Sequence, residues 1–146
     1  MVTWTTYGTW LQGNKKGYVK NGQILPGDEN LEEICRNLQQ KETVILNQDE
    51  RKIIEQTILK EAERIGQTIK ALAVCSNHIH IAALVCNESI EQIVSRYKNA
   101  AMFALHKNGR KGRIWTHSFD KRFCFNQEEL DQKIEYIQKH NGQVNG

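Results

Sequence analysis

The segment that most restricts the fold is a pair of apolar, β-branched runs, 68–75 and 78–86, separated only by Ser76 and Asn77. Two such runs joined by two turn residues predict an antiparallel hairpin. Neither run has a clearly polar face, so both strands are expected in the middle of a sheet. The second run opens Asn77-His78-Ile79-His80-Ile81. Residues two apart on a strand share a face, which sets two imidazoles side by side and turns Ile79 and Ile81 the other way. Polar rings in a strand as apolar as Ile-Ala-Ala-Leu-Val demand a partner, because unpaired polar groups are costly there. Paired imidazoles are good ligands for manganese, zinc or nickel, and serve magnesium in a mixed site with oxygen donors. The plain alternative is an ordinary strand carrying two hydrogen-bonded histidines. A zinc site that adds Cys75 is disfavoured, since along one strand Cys75 points to the opposite face. Only a bulge or the turn at Ser76-Asn77 would bring it round.

The rest of the chain supplies partners for this hairpin. Met1 to Tyr7 is rich in β-branched and aromatic residues and breaks at Gly8, as a first strand does. The stretch 13–27, around the only proline, Pro26, reads as an irregular loop, and Leu31, Ile34 and Leu38 suggest a short helix within 30–40. Asn47 with Glu50, and Ser89 with Gln92, are capping-box patterns. The first opens a helix striped by Ile53, Ile54, Ile58, Ala62 and Ile65 and stopped at Gly66; the second opens one striped by Ile90, Ile93, Val94, Tyr97, Ala101, Ala104 and Leu105 and stopped at Gly109. Residues 113–125 hold short aromatic segments that suit a further strand. Asn126 and Glu129 then open a last helix with Leu130, Ile134 and Ile137 inward. A chain of 146 residues, 39% hydrophobic, fits one domain over 1–146. The order strand, helix, strand, strand, helix, strand, helix predicts an α+β, ferredoxin-like antiparallel sheet with its helices packed on one face.

On the last helix Tyr136 and His140 are four apart and so share a flank, off the stripe of Leu130, Ile134 and Ile137. That makes His140 a candidate third metal ligand beside the Tyr136 hydroxyl, with Asn141 as substitute if the helix unwinds near Gly142. A tyrosine on a helix flank more often just covers a core edge. Among the other tyrosines, Tyr97 falls on a buried stripe and Tyr7 on the first strand. Cys35, Cys75, Cys86 and Cys124 form no C-x-x-C pair, and with no leader at the start this reads as free thiols in a reducing cytoplasm. No apolar run approaches the roughly twenty residues that span a bilayer, so no membrane is expected.

Taken together, these residues bring the chain close to a known group. Thr6-Tyr7-Gly8-Thr9-Trp10-Leu11 with Gly13, then Ser76-Asn77-His78-Ile79-His80-Ile81, then Glu135-Tyr136-Ile137 occur in the order in which the chain resembles the single-tyrosine HUH transposases, the insertion-sequence-200-like and REP-associated group. The resemblance covers nearly the whole chain. It implies an HUH endonuclease type of fold, a divalent metal ion (Mg2+ or Mn2+) held by His78, His80 and His140, and Tyr136 as nucleophile. It further implies a 5′-phosphotyrosine intermediate, a hairpin-forming single strand as substrate, and a homodimer. Members commonly carry glutamine or asparagine on the turn after the tyrosine, where this chain has His140 and Asn141.

For substrate holding, the turn Lys107-Asn-Gly-Arg110-Lys111-Gly-Arg113 gathers cations around two glycines, with Trp115 following as a stacking aromatic. Trp10, with Trp4, Lys15 and Lys16, offers a second surface. The alternative for the basic turn is a solvated surface loop, since the net charge is only +3. The main functional rival is a domesticated, non-cleaving protein that binds single-stranded or hairpin DNA. A metal-dependent hydrolase, in which water attacks, is another, and a replication initiator or relaxase fits a short chain with so late a tyrosine less well.

Overall fold

The computed structural model describes residues 1–9 and 43–144, of which 141–144 are backbone only. The expected helix at 30–40, the loop at 13–27, Trp10, Lys15 and Lys16 lie outside the described residues. The element order is β1 (Val2–Thr5), α1 (Gln48–Ile65), β2 (Ile69–Val74), β3 (His78–Ala83), α2 (Ile90–Lys107), β4 (Asp120–Lys121) and α3 (Gln127–Val144). The strands form one sheet in the order β2-β3-β1-β4. Every neighbouring pair is antiparallel. The α+β, ferredoxin-like expectation therefore holds. The turn at Ser76-Asn77 closes as predicted, with the Cys75 amide donating to the His78 carbonyl at 2.8 Å.

Local chemistry sets the helix limits. Asn47 and Glu50 exchange both capping hydrogen bonds at the start of α1, which ends at Gly66 in the left-handed conformation, φ 77°. Ser89 and Gln92 do the same for α2. At α3 the Asn126 side chain accepts from the Glu129 amide at 2.8 Å, while Glu129 reaches back to the Phe125 amide at 2.7 Å. The strand expected in 113–125 shrinks to Asp120–Lys121, paired with Val2 and Thr3. Trp115 makes only an isolated bridge to Thr6.

One expectation is corrected. The helices do not all pack on one face. Ile54, Ile58 and Ala62 of α1 and Val94, Tyr97 and Leu105 of α2 meet Trp4, Ile79 and Ile81 on one side of the sheet. On the other side, α3 lies across β2 and β3. Its Ile137, 0% exposed, packs among Ala71, Ala73, Cys75 and Ala82. The reason lies in those side chains: alanines at alternate positions let a helix come close to the strands, and apolar residues on both strand faces need cover on both. This one displacement carries α3 to the face on which His78 and His80 stand. Ile137→Ala is expected to cost about 2–5 kcal/mol of stability in chemical denaturation. An unchanged midpoint would mean that α3 docks without that contact.

Candidate active site

β3 is a central strand, flanked by β1 and β2, with Thr3 opposite His80 and Thr5 opposite His78 on one side and Ala73 opposite His80 on the other. The strand alternation sends Ile79 and Ile81 into the core and His78 and His80 toward α3. Their ring centroids lie 4.7 Å apart. One turn of α3 completes the group. The His140 ring is 5.7 Å from His78 and 4.8 Å from His80. Tyr136 stands 4.4 Å from His140 and 5.5 Å from His80. One ligand nitrogen from each of the three histidines falls within 4.8 Å of the others. Because α3 continues helically to Val144, past Gly142, the unwinding that would bring in Asn141 does not occur.

The rings are held by their outer nitrogens. His80 Nδ1 hydrogen-bonds Thr3 Oγ1 at 2.8 Å. His78 Nδ1 bonds Asn77 Oδ1 at 2.7 Å. His140 Nδ1 bonds the Tyr136 carbonyl at 3.3 Å. A carbonyl oxygen only accepts, so for His78 and His140 the proton sits on Nδ1 and the Nε2 lone pair is left for a metal. Burial, then neighbouring His78, then His140 push His80 down to about 3. Burial, then His140, also lower His78. Both shifts favour the neutral imidazole, the form that ligates. A three-nitrogen donor set whose rings are oriented from behind fits a divalent ion, a transition ion such as Mn2+ directly and Mg2+ where oxygen ligands complete the shell. Thr3 and Asn77 are thus positioning residues. Thr3→Val, close to isosteric, is expected to weaken Mn2+ binding about 10- to 100-fold in titration calorimetry. Equal affinity would make the threonine bond incidental to the site.

Tyr136 is set apart from its alternatives by exposure. It is 45% exposed beside the histidines. Tyr97, by contrast, is 0% exposed, donates to Gln67 Oε1, and is raised by burial well above a normal phenol. The Tyr7 ring is covered by the Arg113 guanidinium at 4.5 Å.

A family model supplies the context for this arrangement. The one described as Transposase IS200 like matches residues 29–140, a span that takes in both strand histidines, Tyr136 and His140. The chain belongs to the IS200-like transposase family. Its work is therefore that of a DNA-processing enzyme. No curated protein matches the chain.

The expected DNA contacts of this IS200-like transposase divide sharply. Trp115, expected as a stacking aromatic, is a correction: it is 6% exposed, packs edge-on to Trp4, and donates its Nε1 hydrogen to the Lys98 carbonyl. A buried ring cannot stack on a base. Arg110 is also committed inward, forming a two-pronged bridge to Glu50 and donating to the Ile45 carbonyl at 3.0 Å. Its guanidinium holds the Glu50 carboxyl below the usual range. Lys107, Lys111 and Arg113 are exposed. Of these, Arg113 donates its Nε hydrogen to the Trp115 carbonyl at 3.1 Å and sets its guanidinium over the Tyr7 ring. Cys75 does lie on the histidine face, as the hairpin turn allows, but it is packed beside Ile137 and lies outside the histidine group.

Two features escaped the sequence reading. Thr3 is one of many β-branched residues in a strand, and only its register opposite His80 gives it a role. Lys98 is the other. Its ammonium donates to the Thr116 and Ser118 carbonyls at 2.9 and 3.0 Å, and burial, then Arg113, lower it to about 8. It fastens the loop whose Thr116 hydroxyl meets Thr5 at 3.1 Å, beside the strand position opposite His78.

Proposed function

We propose that this transposase cuts and rejoins single-stranded DNA through Tyr136, with His78, His80 and His140 holding a divalent cation, Mg2+ or Mn2+. The observation that supports it most is the convergence of three back-anchored imidazoles with one exposed phenol on a single face. When bound, such an ion stabilises the negative charge that develops on the phosphoryl oxygens. Tyr136 Oη attacks the phosphorus of the scissile phosphodiester, and its proton leaves to solvent. The new Oη–P bond forms as the P–O3′ bond breaks, and the departing 3′-oxygen takes up a proton. The products are a 5′-phosphotyrosine and a free 3′-hydroxyl. Attack by another 3′-hydroxyl reverses the step and seals a new junction. A phenol suits the reversal, because its pKa near 10 makes it a better leaving group than an aliphatic alcohol. Arg113, set over Tyr7 just past the end of β1, and the exposed Lys107 and Lys111 supply cations for phosphates. Arg113 does so from a fixed pose.

The test is a denaturing gel of the protein with hairpin-bearing single strands and Mn2+ or Mg2+. A covalent protein–DNA band is the expected result. Binding without any adduct would favour a non-cleaving hairpin-binding descendant. Cut strands with free 5′-phosphates and no adduct would favour attack by water.

A further inference from the structure

Away from the histidines, at the start of α3, two phenylalanines point into solvent. Phe123 is 55% and Phe125 85% exposed, although large apolar rings are normally buried. Cys124 between them is half-buried, so the backbone alternates and both rings share one side. Their centroids are 6.5 Å apart and their planes tilted by 39°. At that distance the tilted rings touch as an ordinary aromatic pair, and together they present one solvent-facing aromatic surface on which a base can stack. An apolar cavity of about 300 Å3 opens beside them, lined by Leu84, Cys86, Ile90 and Ile93.

The surrounding charge suits a strand with phosphates. The Lys121 ammonium is 5.9 Å from the Phe123 ring centroid. Lys121 and Arg122 are each in an exposed ion pair, with Glu91 at 2.9 Å and Asp120 at 3.3 Å. Exposed pairs contribute little and exchange readily for another anion. Glu129, in the first turn of α3, is occupied by the Phe125 amide. Phe125 stands just before the first turn of α3 and Tyr136 lies within that helix, eleven residues on in sequence. At about 1.5 Å per residue this is about 16 Å, or four to five stacked nucleotides.

We propose that Phe123 and Phe125 form a stacking platform for one unpaired base of the DNA strand, four to five nucleotides from the phosphate at Tyr136. This rests on the reading that the chain handles single-stranded DNA, and adds a subsite that the cleavage chemistry does not require. The experiment places 2-aminopurine at successive positions of an oligonucleotide and measures its fluorescence quenching and binding by wild type and by the Phe123→Ala/Phe125→Ala variant, with Phe123→Trp/Phe125→Trp as the conservative pair. Quenching confined to one position, lost in the alanine variant and kept in the tryptophan variant, is expected. Affinity for the long strand should fall about 5- to 100-fold in the alanine variant, while a strand too short to reach the rings binds equally well. Unchanged affinity for the long strand overturns the platform, as does equal loss on both strands. Loss of self-association with no change in DNA affinity overturns it in favour of a contact between copies of the chain. Binding is read without cleavage, so absence of any adduct would count against the tyrosine chemistry and leave this result standing.

Discussion

Tyr136→Phe is expected to remove covalent adduct formation by at least about 10^4-fold, the scale on which loss of a covalent nucleophile is felt. The substitution takes away one oxygen atom. The ring contacts with His140 and His80 remain, and the residue is 45% exposed, so stability should stay within about 0.5 kcal/mol of wild type. An intact fold with no adduct assigns the attack to that oxygen. Tyr97 cannot substitute, because its hydroxyl is buried and engaged by Gln67. If the variant still nicks the strand at a comparable rate, water is the nucleophile and the reading of Tyr136 fails.

His80→Ala should be nearly as severe, by a different route. His80 is the most enclosed member of the group, 6% exposed, and like His140 it neighbours both other histidines and Tyr136. Removing its imidazole leaves two nitrogens, one from β3 and one from α3. Because losing a mere orienting partner costs 10- to 100-fold, losing the ligand should weaken Mn2+ binding by more than about 100-fold, with adduct formation falling to background. Calorimetric titration with Mn2+ and the denaturing gel read the two effects separately. His117→Ala, an exposed histidine outside the group, is the matched control and should bind Mn2+ as wild type does. If His80→Ala retains wild-type Mn2+ affinity, the ion sits elsewhere.

Basic residues show where charge alone misleads. Lys107, Arg110, Lys111 and Arg113 are equivalent as a string of cations. Folding spends Arg110 on Glu50, which is sixty positions away in the sequence. It leaves Arg113 fixed against Tyr7 and the two lysines free in solvent. Trp115 illustrates the same point for aromatics. Apart from Ile114 its near neighbours in sequence are polar or basic, yet a bridge to Thr6 and an edge contact with Trp4 draw it inside. Burial of a single ring depends on what lies across the sheet, and no local pattern carries that.

What the sequence determined by itself is the periodic and the local. Alternation placed His78 and His80 on one strand face, the helical repeat placed Tyr136 and His140 on one flank, and the Asn47–Glu50 and Ser89–Gln92 pairs fixed where two helices begin. These follow from backbone geometry and short-range hydrogen bonds, which need no distant partner. Only the tertiary structure decided that α3 crosses to the face opposite α1 and α2, that Thr3 stands behind His80, and that Phe123 and Phe125 stay outside. Each depends on contacts between residues far apart in the chain, chosen by which surfaces can be buried together. The alanines of β2 and β3 made room for Ile137, and that contact brought the tyrosine helix to the histidines.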